Sequence, residues 1–479
     1  MESLTPVSKS ELFVALPPEW NDPRLFSALQ AEIRASGRKV VVLDDDPTGT
    51  QTVHDISVLT QWPVDALRDA LADDDDSVFY ILTNSRSVPA DRAAAMNVEI
   101  ARNLAHAARQ VKRDFVVVSR SDSTLRGHYP VELDALRETL ERELGYPFDG
   151  HVIVPFFLEG GRFTIGDSHW VQEGERLIPA AQTEYARDAT FGYAHSNLRE
   201  WIEEKTDSRY RADEVVSISL DAIRREGPAG VAEILGAING YRPIIVNAAS
   251  DGDMQVFVAG LLRAEANGKR FLFRTAASFV RARGAFTPRE MLKPSDLYQK
   301  DAKGIGGLVV VGSYIQKSSE QLRALQALDI ISSVELNVMR VLYPSMREHE
   351  ITHAAGELDS AIQAGRTALI FTSRELVTGA TRAQSLLIGQ SVSGALIEVV
   401  RRLAIPPRFV IAKGGITCSD VATRALGVVN ARVLGQIAPG VPVWRLGDES
   451  RFPGMPYVVF PGNVGARDTL AQVVEELRK

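Results

Sequence analysis

Three polar clusters in the N-terminal half bring carboxylates, guanidinium groups and hydroxyls together within a few residues. The first is Asp44-Asp45-Asp46-Pro47-Thr48-Gly49-Thr50, three carboxylates ahead of a Pro-Thr-Gly reversal. Side chains of successive extended residues alternate faces, so at most two of the three share a site. A carboxylate here can bind a substrate hydroxyl or accept its proton. Turn and cap chemistry by Asp and Thr explains the same residues equally well. The second cluster is Thr83-Asn84-Ser85-Arg86-Ser87, and the third is SRSDSTLRGHYP at Ser119–Pro130. Together they supply Arg86, Arg120, Arg126, Asp122 and several hydroxyls. Arginine offers a planar fork that suits carboxylate or phosphate, and aspartate suits sugar hydroxyls. A lone arginine is more often a surface ion pair; three such clusters shift the balance. Arg162, in GGRFTIGD, is a fourth candidate.

The C-terminal half carries glycine turns instead. They are Gly312–Ser313, Lys413-Gly414-Gly415-Ile416-Thr417 and Gly462-Asn463-Val464-Gly465. Glycine lets backbone amides approach a phosphate closely, and a following helix start adds positive potential. Tight turns in α/β folds need glycine anyway, so one such loop alone says little. Neither a GxxxxGK[ST] loop nor a strand–GxGxxG–helix fingerprint is present.

One motif points elsewhere. His349-Glu350-Ile351-Thr352-His353 has the HExxH spacing of a zinc protease helix, extended by Gly356 and Asp359. In such enzymes the helix stops at the glycine. Here apolar spacing continues through Leu358, Ala361 and Ile362 to a natural stop at Gly365. The segment therefore reads as a crossover helix. Cys418 reads as a small buried residue.

These clusters need a scaffold, and the pattern around them supplies one. Short β-branched runs at Val40–Leu43, Val78–Leu82, Phe115–Val118, Val152–Val154 and Ile244–Val246 alternate with helical stretches. A second set follows at Leu308–Val311, Leu369–Phe371, Phe409–Ile411 and Tyr457–Phe460. This alternation predicts two α/β domains with mainly parallel sheets and an active-site cleft between them. Residues 1–36 read as an N-terminal extension, residues 290–306 as a linker, and Asp73–Asp76 as a solvated loop. Nearly every polar cluster follows a strand, and open α/β sheets bind ligands beyond their strands' carboxyl ends.

The 479 residues favour two or three domains, and 45% apolar with 24% charged residues is a globular balance. A net charge of −7 disfavours nucleic-acid or anionic-membrane partners. One cysteine, no basic-then-apolar leader and no long apolar run predict a cytoplasmic protein. A homo-oligomer is compatible with the sequence but not specified by it.

The order DDDPTGT, TNSRS, SDSTLRG, PFFLEGGR, GS…SSEQ, KGGITCSD, GNVG resembles the four-carbon acid sugar kinase (tetronate kinase) family over roughly residues 38–470. The resemblance implies a sugar-acid-binding domain at 37–290 and a nucleotide-binding domain at 306–479. It implies phosphorylation, by ATP with Mg²⁺, of acids such as erythronate, threonate or their 3-oxo relatives. By position, Asp45, Asp46, Arg86, Asp122 and Arg126 match substrate-site residues. Ser313, Gly414, Gly415, Ile416, Thr417 and Gly465 match ATP-site residues. Asp46 or Asp122 is expected to take the hydroxyl proton, and Arg126 or Arg86 to bind the acid. Three departures mark a divergent subgroup: Pro47, Arg120 and Phe460 stand where leucine, lysine and lysine are usual. A nicotinamide-dependent dehydrogenase and a non-catalytic sugar-acid sensor are the rival expectations.

Overall fold

A computed structural model describes residues 4–298, 305–312, 316–373, 377, 382–462 and 464–479, without the side chains of 382, 383, 385 and 386. The chain divides into two compact units. One comprises residues 1–52 and 61–287, the other residues 53–60 and 288–479.

The first unit is built on seven parallel strands: β1 (Lys39–Asp44), β2 (Val78–Leu82), β3 (Phe115–Arg120), β4 (Gly150–Val154), β5 (Val216–Ile218), β6 (Arg242–Val246) and β7 (Phe271–Thr275). Their order is β5-β6-β4-β7-β3-β1-β2. Strands β1, β2 and β4 are mainly apolar and buried along their whole length, as a parallel sheet covered on both faces requires. Helices α1 (Ala90–Val111), α2 (Val131–Leu144) and α3 (Asp251–Ala266) are among its covering layers.

From β1 the chain moves to β2 on one side, then crosses to β3 on the other. Open α/β sheets bind ligands at such a reversal, beyond the carboxyl ends of β1 and β3. Asp44 ends β1 with Asp45 and Asp46 just beyond it, and Ser121 and Asp122 follow β3, so the topology brings both clusters to the same edge of the sheet.

The N-terminal extension packs onto this unit. Val7–Ser8 joins a four-stranded antiparallel sheet with Arg162–Ile165, Ser168–Glu173 and Arg176–Pro179. Helix Leu25–Ser36 buries Leu29 and Ile33. The acidic stretch Asp73–Asp76 has internal work: the Asp73 and Asp76 carbonyls accept from the buried Lys39 ammonium.

In the second unit, β8 (Leu308–Val311), β9 (Ile331–Leu336), β10 (Thr367–Thr372), β11 (Val410–Lys413), β12 (Asn430–Ala438), β13 (Val441–Leu446) and β14 (Pro456–Phe460) form a mixed sheet. Strands β14-β11-β8-β10-β9 are parallel neighbours. The pairs β12–β13 and β13–β14 are antiparallel, and the strand Ile56–Leu59 pairs antiparallel with β12. A segment from early in the chain thus completes a sheet built mostly from its last third. Leu292 and Leu297, in the stretch expected to be a linker, lie in this unit's core beside Val443 and Leu470.

Candidate active site

In the first unit the carboxyl ends of the strands are stitched together by backbone. Asp45 N–H donates to the Arg120 carbonyl at 3.2 Å, Thr83 N–H to the Asp44 carbonyl at 2.9 Å, and Ser121 N–H to the Thr275 carbonyl at 2.8 Å. Two glycines allow the close packing this needs. A Cβ on Gly49 would lie 1.9 Å from Asp44 Oδ2, and one on Gly127, at φ +120°, would lie 2.8 Å from Ser121 Oγ.

The side chains form an alternating lattice of charge. Arg86 stands 3.1 Å from Asp45, 2.6 Å from Asp46 and 3.8 Å from Asp122. Arg120 stands 3.2 Å from Asp44 and 3.8 Å from Asp45. Arg126 Nε donates to Asp122 Oδ2 at 2.8 Å, and Arg126 Nη1 is 3.7 Å from Asp188. Asp46 Oδ1 also accepts from Thr48 N–H and Oγ1, at 2.8 and 2.5 Å. Asp122 Oδ2 also accepts from the Thr124 hydroxyl.

This lattice sets the protonation states. Burial alone would push Asp46 and Asp122 up. For Asp46, Arg86 and Thr48 outweigh it; for Asp122, Arg86 and Arg126 do, so both carboxyls are held below the usual range. Asp44 goes the other way. Burial pushes it up to about 7, with Arg120 opposing and the Asp45 and Asp46 charges adding to the rise.

A layer behind the SDSTLRG loop fixes its shape. His169 Nε2 donates to the Ser123 carbonyl at 2.8 Å, and the Tyr193 hydroxyl donates to the Thr124 carbonyl at 2.8 Å. Arg274, on β7, donates to the Arg126 carbonyl at 2.9 Å. Arg162 lies one ring away from the lattice. Its guanidinium is 5.7 Å from the Tyr185 ring centre, and that of Arg126 is 5.1 Å from the same ring.

In the second unit the glycine turns end three adjacent parallel strands, β8, β11 and β14. Gly414, at φ +108°, donates its N–H to the Phe460 carbonyl at 2.9 Å. Gly415 opens the short helix Gly415–Asp420. Ile416 is exposed on that helix, and Thr417 packs so close to Gly312 that a Cβ there would lie 2.4 Å from its hydroxyl. Gly465, at φ +83°, closes the last turn. That turn is pinned from helix α4 (Gln316–Gln326): Gln321 donates to the Val464 and Ala466 carbonyls at 3.0 and 2.8 Å. Ser313 and Asn463 lie outside the described residues.

Lys413, fully buried at the end of β11, donates to the Pro461 carbonyl at 3.0 Å and sits 4.2 Å from the Phe460 ring centre. The aromatic residue at position 460 thus packs against the lysine of the KGG turn. Cys418 is buried as expected, its thiol turned to the Ala412 carbonyl at 2.9 Å. Helix α5 (Val338–Leu342) is followed by α6 (Pro344–Gln363), which runs straight through Gly356. Glu350 is buried and accepts from Asn337 N–H at 2.8 Å, a structural use of the HExxH glutamate.

A family model for a sugar-binding N-terminal domain matches residues 40–283, and one for a nucleotide-binding C-terminal domain matches residues 308–470. The chain is 27% identical over 331 residues to a D-erythronate kinase of Heliobacterium modesticaldum, covering 67% of each chain. The chain belongs to the four-carbon acid sugar kinase family. In fold it is similar to a Salmonella typhimurium LT2 protein, at TM-score 0.67, 18% identity and 91% of this chain against 98% of that one. A Haemophilus influenzae protein matches at TM-score 0.62 and 18% identity, over 92% of this chain and 100% of that one.

Family motifs account for Asp45, Asp46, Arg86, Asp122 and Arg126, which the structure gathers within one lattice. They do not account for Arg274, Tyr185 and Asp188. Arg274 left a trace, a charge inside the apolar run Phe271–Thr275. Tyr185 and Asp188 sit on and just after the short turn Glu184–Arg187, more than fifty residues beyond the SDSTLRG loop and outside the β-branched runs that mark the parallel sheet.

Proposed function

We propose that this chain is an ATP-dependent kinase that phosphorylates a hydroxyl of a four-carbon sugar acid of the erythronate, threonate or 3-oxo-tetronate type. The observation that carries this reading is the unequal commitment of two arginines, Arg86 and Arg126. Arg86 already faces three carboxylates. Arg126 has one close partner, Asp122, and a looser one, Asp188. Arg126 therefore has the capacity to take the substrate carboxylate, and Arg86 serves to keep the aspartates ionised.

The same bookkeeping chooses between the aspartates. Both oxygens of Asp46 are engaged, one by Thr48 and one by Arg86. Among the described residues, Asp122 Oδ1 has only the 3.8 Å approach of Arg86. Asp122 is thus the better placed to accept a hydrogen bond from the reacting hydroxyl. As the acceptor oxygen bonds to the γ-phosphorus and the bond to the β,γ-bridging oxygen breaks, the hydroxyl proton passes to Asp122. A strongly basic group is not required, because phosphoryl transfer depends mainly on positioning and charge stabilisation.

The glycine-bearing turns that follow β8, β11 and β14 suit a triphosphate, because glycine lets backbone amides come close to phosphate; the Gly414 amide itself is held by the Phe460 carbonyl. Mg²⁺ arriving with ATP neutralises phosphate charge. An ATP-consumption screen against three- to six-carbon sugar acids tests the reading. Turnover with a tetronate is expected; ATP consumption with none of the acids would sink it.

A further inference from the structure

We propose that Tyr185 is a positioning and specificity-determining residue, holding Arg126 and Arg162 as a pair that receives the carboxylate end of the sugar acid. This rests on the reading of the first unit as the acid-binding site.

The two guanidinium groups lie 5.1 and 5.7 Å from the centre of one ring. Both cations therefore share one aromatic ring, whose negative face attracts each of them. The Tyr185 hydroxyl accepts from Arg162 Nη2 at 3.5 Å, and Arg162 Nη1 donates to the Gly160 carbonyl. Arg162 Nε is buried and has no hydrogen-bond partner among the described residues, so this fork keeps a donor in reserve. Arg126 is steered from its other side by Asp188. One oxygen of Asp188 is locked by Thr190 and Phe191 N–H at 2.8 and 3.0 Å, which leaves the other facing Arg126. Tyr185 and Asp188 thus flank two cations, and among the described residues no acidic side chain pairs with Arg162. A carboxylate is the group that completes this arrangement, and an uncharged polyol of equal length gains nothing from it.

Calorimetric binding to the full chain, without ATP, tests this with erythronate, threonate and the uncharged erythritol as probes. Tyr185→Leu is expected to weaken tetronate binding about tenfold. Tyr185→Phe should stay within about twofold, because it keeps the ring. Neither should alter ATP affinity. Arg162→Gln, an independent variant should Tyr185→Leu not fold, is expected to weaken the acid by a similar factor. The double variant should lose little more than either single one, as coupled residues do. Wild-type affinity in Tyr185→Leu or in Arg162→Gln would overturn the inference, as would fully additive losses. Acid binding by the wild type without ATP turnover would defeat the kinase reading and leave this inference standing. Wild-type protein that bound no tetronate would overturn both.

Discussion

The Arg86 guanidinium stands 2.6 Å from the Asp46 carboxylate, tying the loop after β2 to the loop after β1. It also faces Asp45 and Asp122 while only 19% exposed. Removing one partner from such a buried cluster strands the remaining charges.

Arg86→Met is therefore expected to cost about 3 kcal/mol of stability at pH 7, measured by chemical denaturation. The pH dependence has a sign. Asp46 and Asp122 have depressed folded pKa values. Their contribution is present above the ordinary carboxylate pKa of about 4 and is lost as pH falls through the lower folded values. Without Arg86 that loss should begin at higher pH. Superimposable acid-unfolding curves for variant and wild type would refute the assignment.

Asp44 should behave oppositely. Burial raises its pKa to about 7. A carboxyl raised in the fold lends stability below its ordinary pKa and loses it as pH rises through the folded value. Asp44→Asn is expected to flatten the fall in stability between about pH 4 and pH 7. Denaturation midpoints across that range decide it; a variant as pH-sensitive as the wild type counts against.

Asp122→Asn should lower turnover by roughly 10²-fold or more if Asp122 takes the hydroxyl proton. The ATP KM should hardly move, because Asp122 belongs to the acid-binding unit. Because its pKa is held down by Arg86 and Arg126 against burial, no limb of the rate profile near neutrality should belong to it. Steady-state kinetics measures both, and near-normal turnover would remove Asp122 from the role.

Much of this was legible in the sequence because the local rule was strict. A β-branched run followed by a polar cluster marks a parallel strand and its functional end, and β1, β2, β3, β8, β11 and β14 all obey it. What escaped depends on contacts distant in the chain. Nothing local predicts that Ile56–Leu59 would pair with Asn430–Val433, since a strand's partner is chosen by the whole sheet. Leu292 and Leu297 hid in a polar stretch that reads as a linker. Tyr185 reaches Arg126 across an irregular turn, where periodicity carries no information. The HExxH spacing shows the converse. A short motif fits a helix face whatever that face is for, and here its glutamate meets the Asn337 amide.

Lys413 offers a test in the second unit. Its ammonium is buried over Phe460 and donates to the Pro461 carbonyl. Burial pushes its pKa down to about 7. The unfolded chain holds that proton to about pH 10, so between these values the unfolded state binds more protons and stability should rise with pH. Lys413→Met is expected to abolish that rise. The same change cuts the tether between β11 and the turn after β14, which Gln321 still anchors from α4. The fold should therefore survive, while the ATP KM rises about tenfold, the worth of one charge-assisted hydrogen bond. The KM for the sugar acid should stay put. Equal loss toward both substrates would mean that Lys413 supports the fold at large rather than the glycine turns, and an unchanged ATP KM would detach it from the nucleotide altogether.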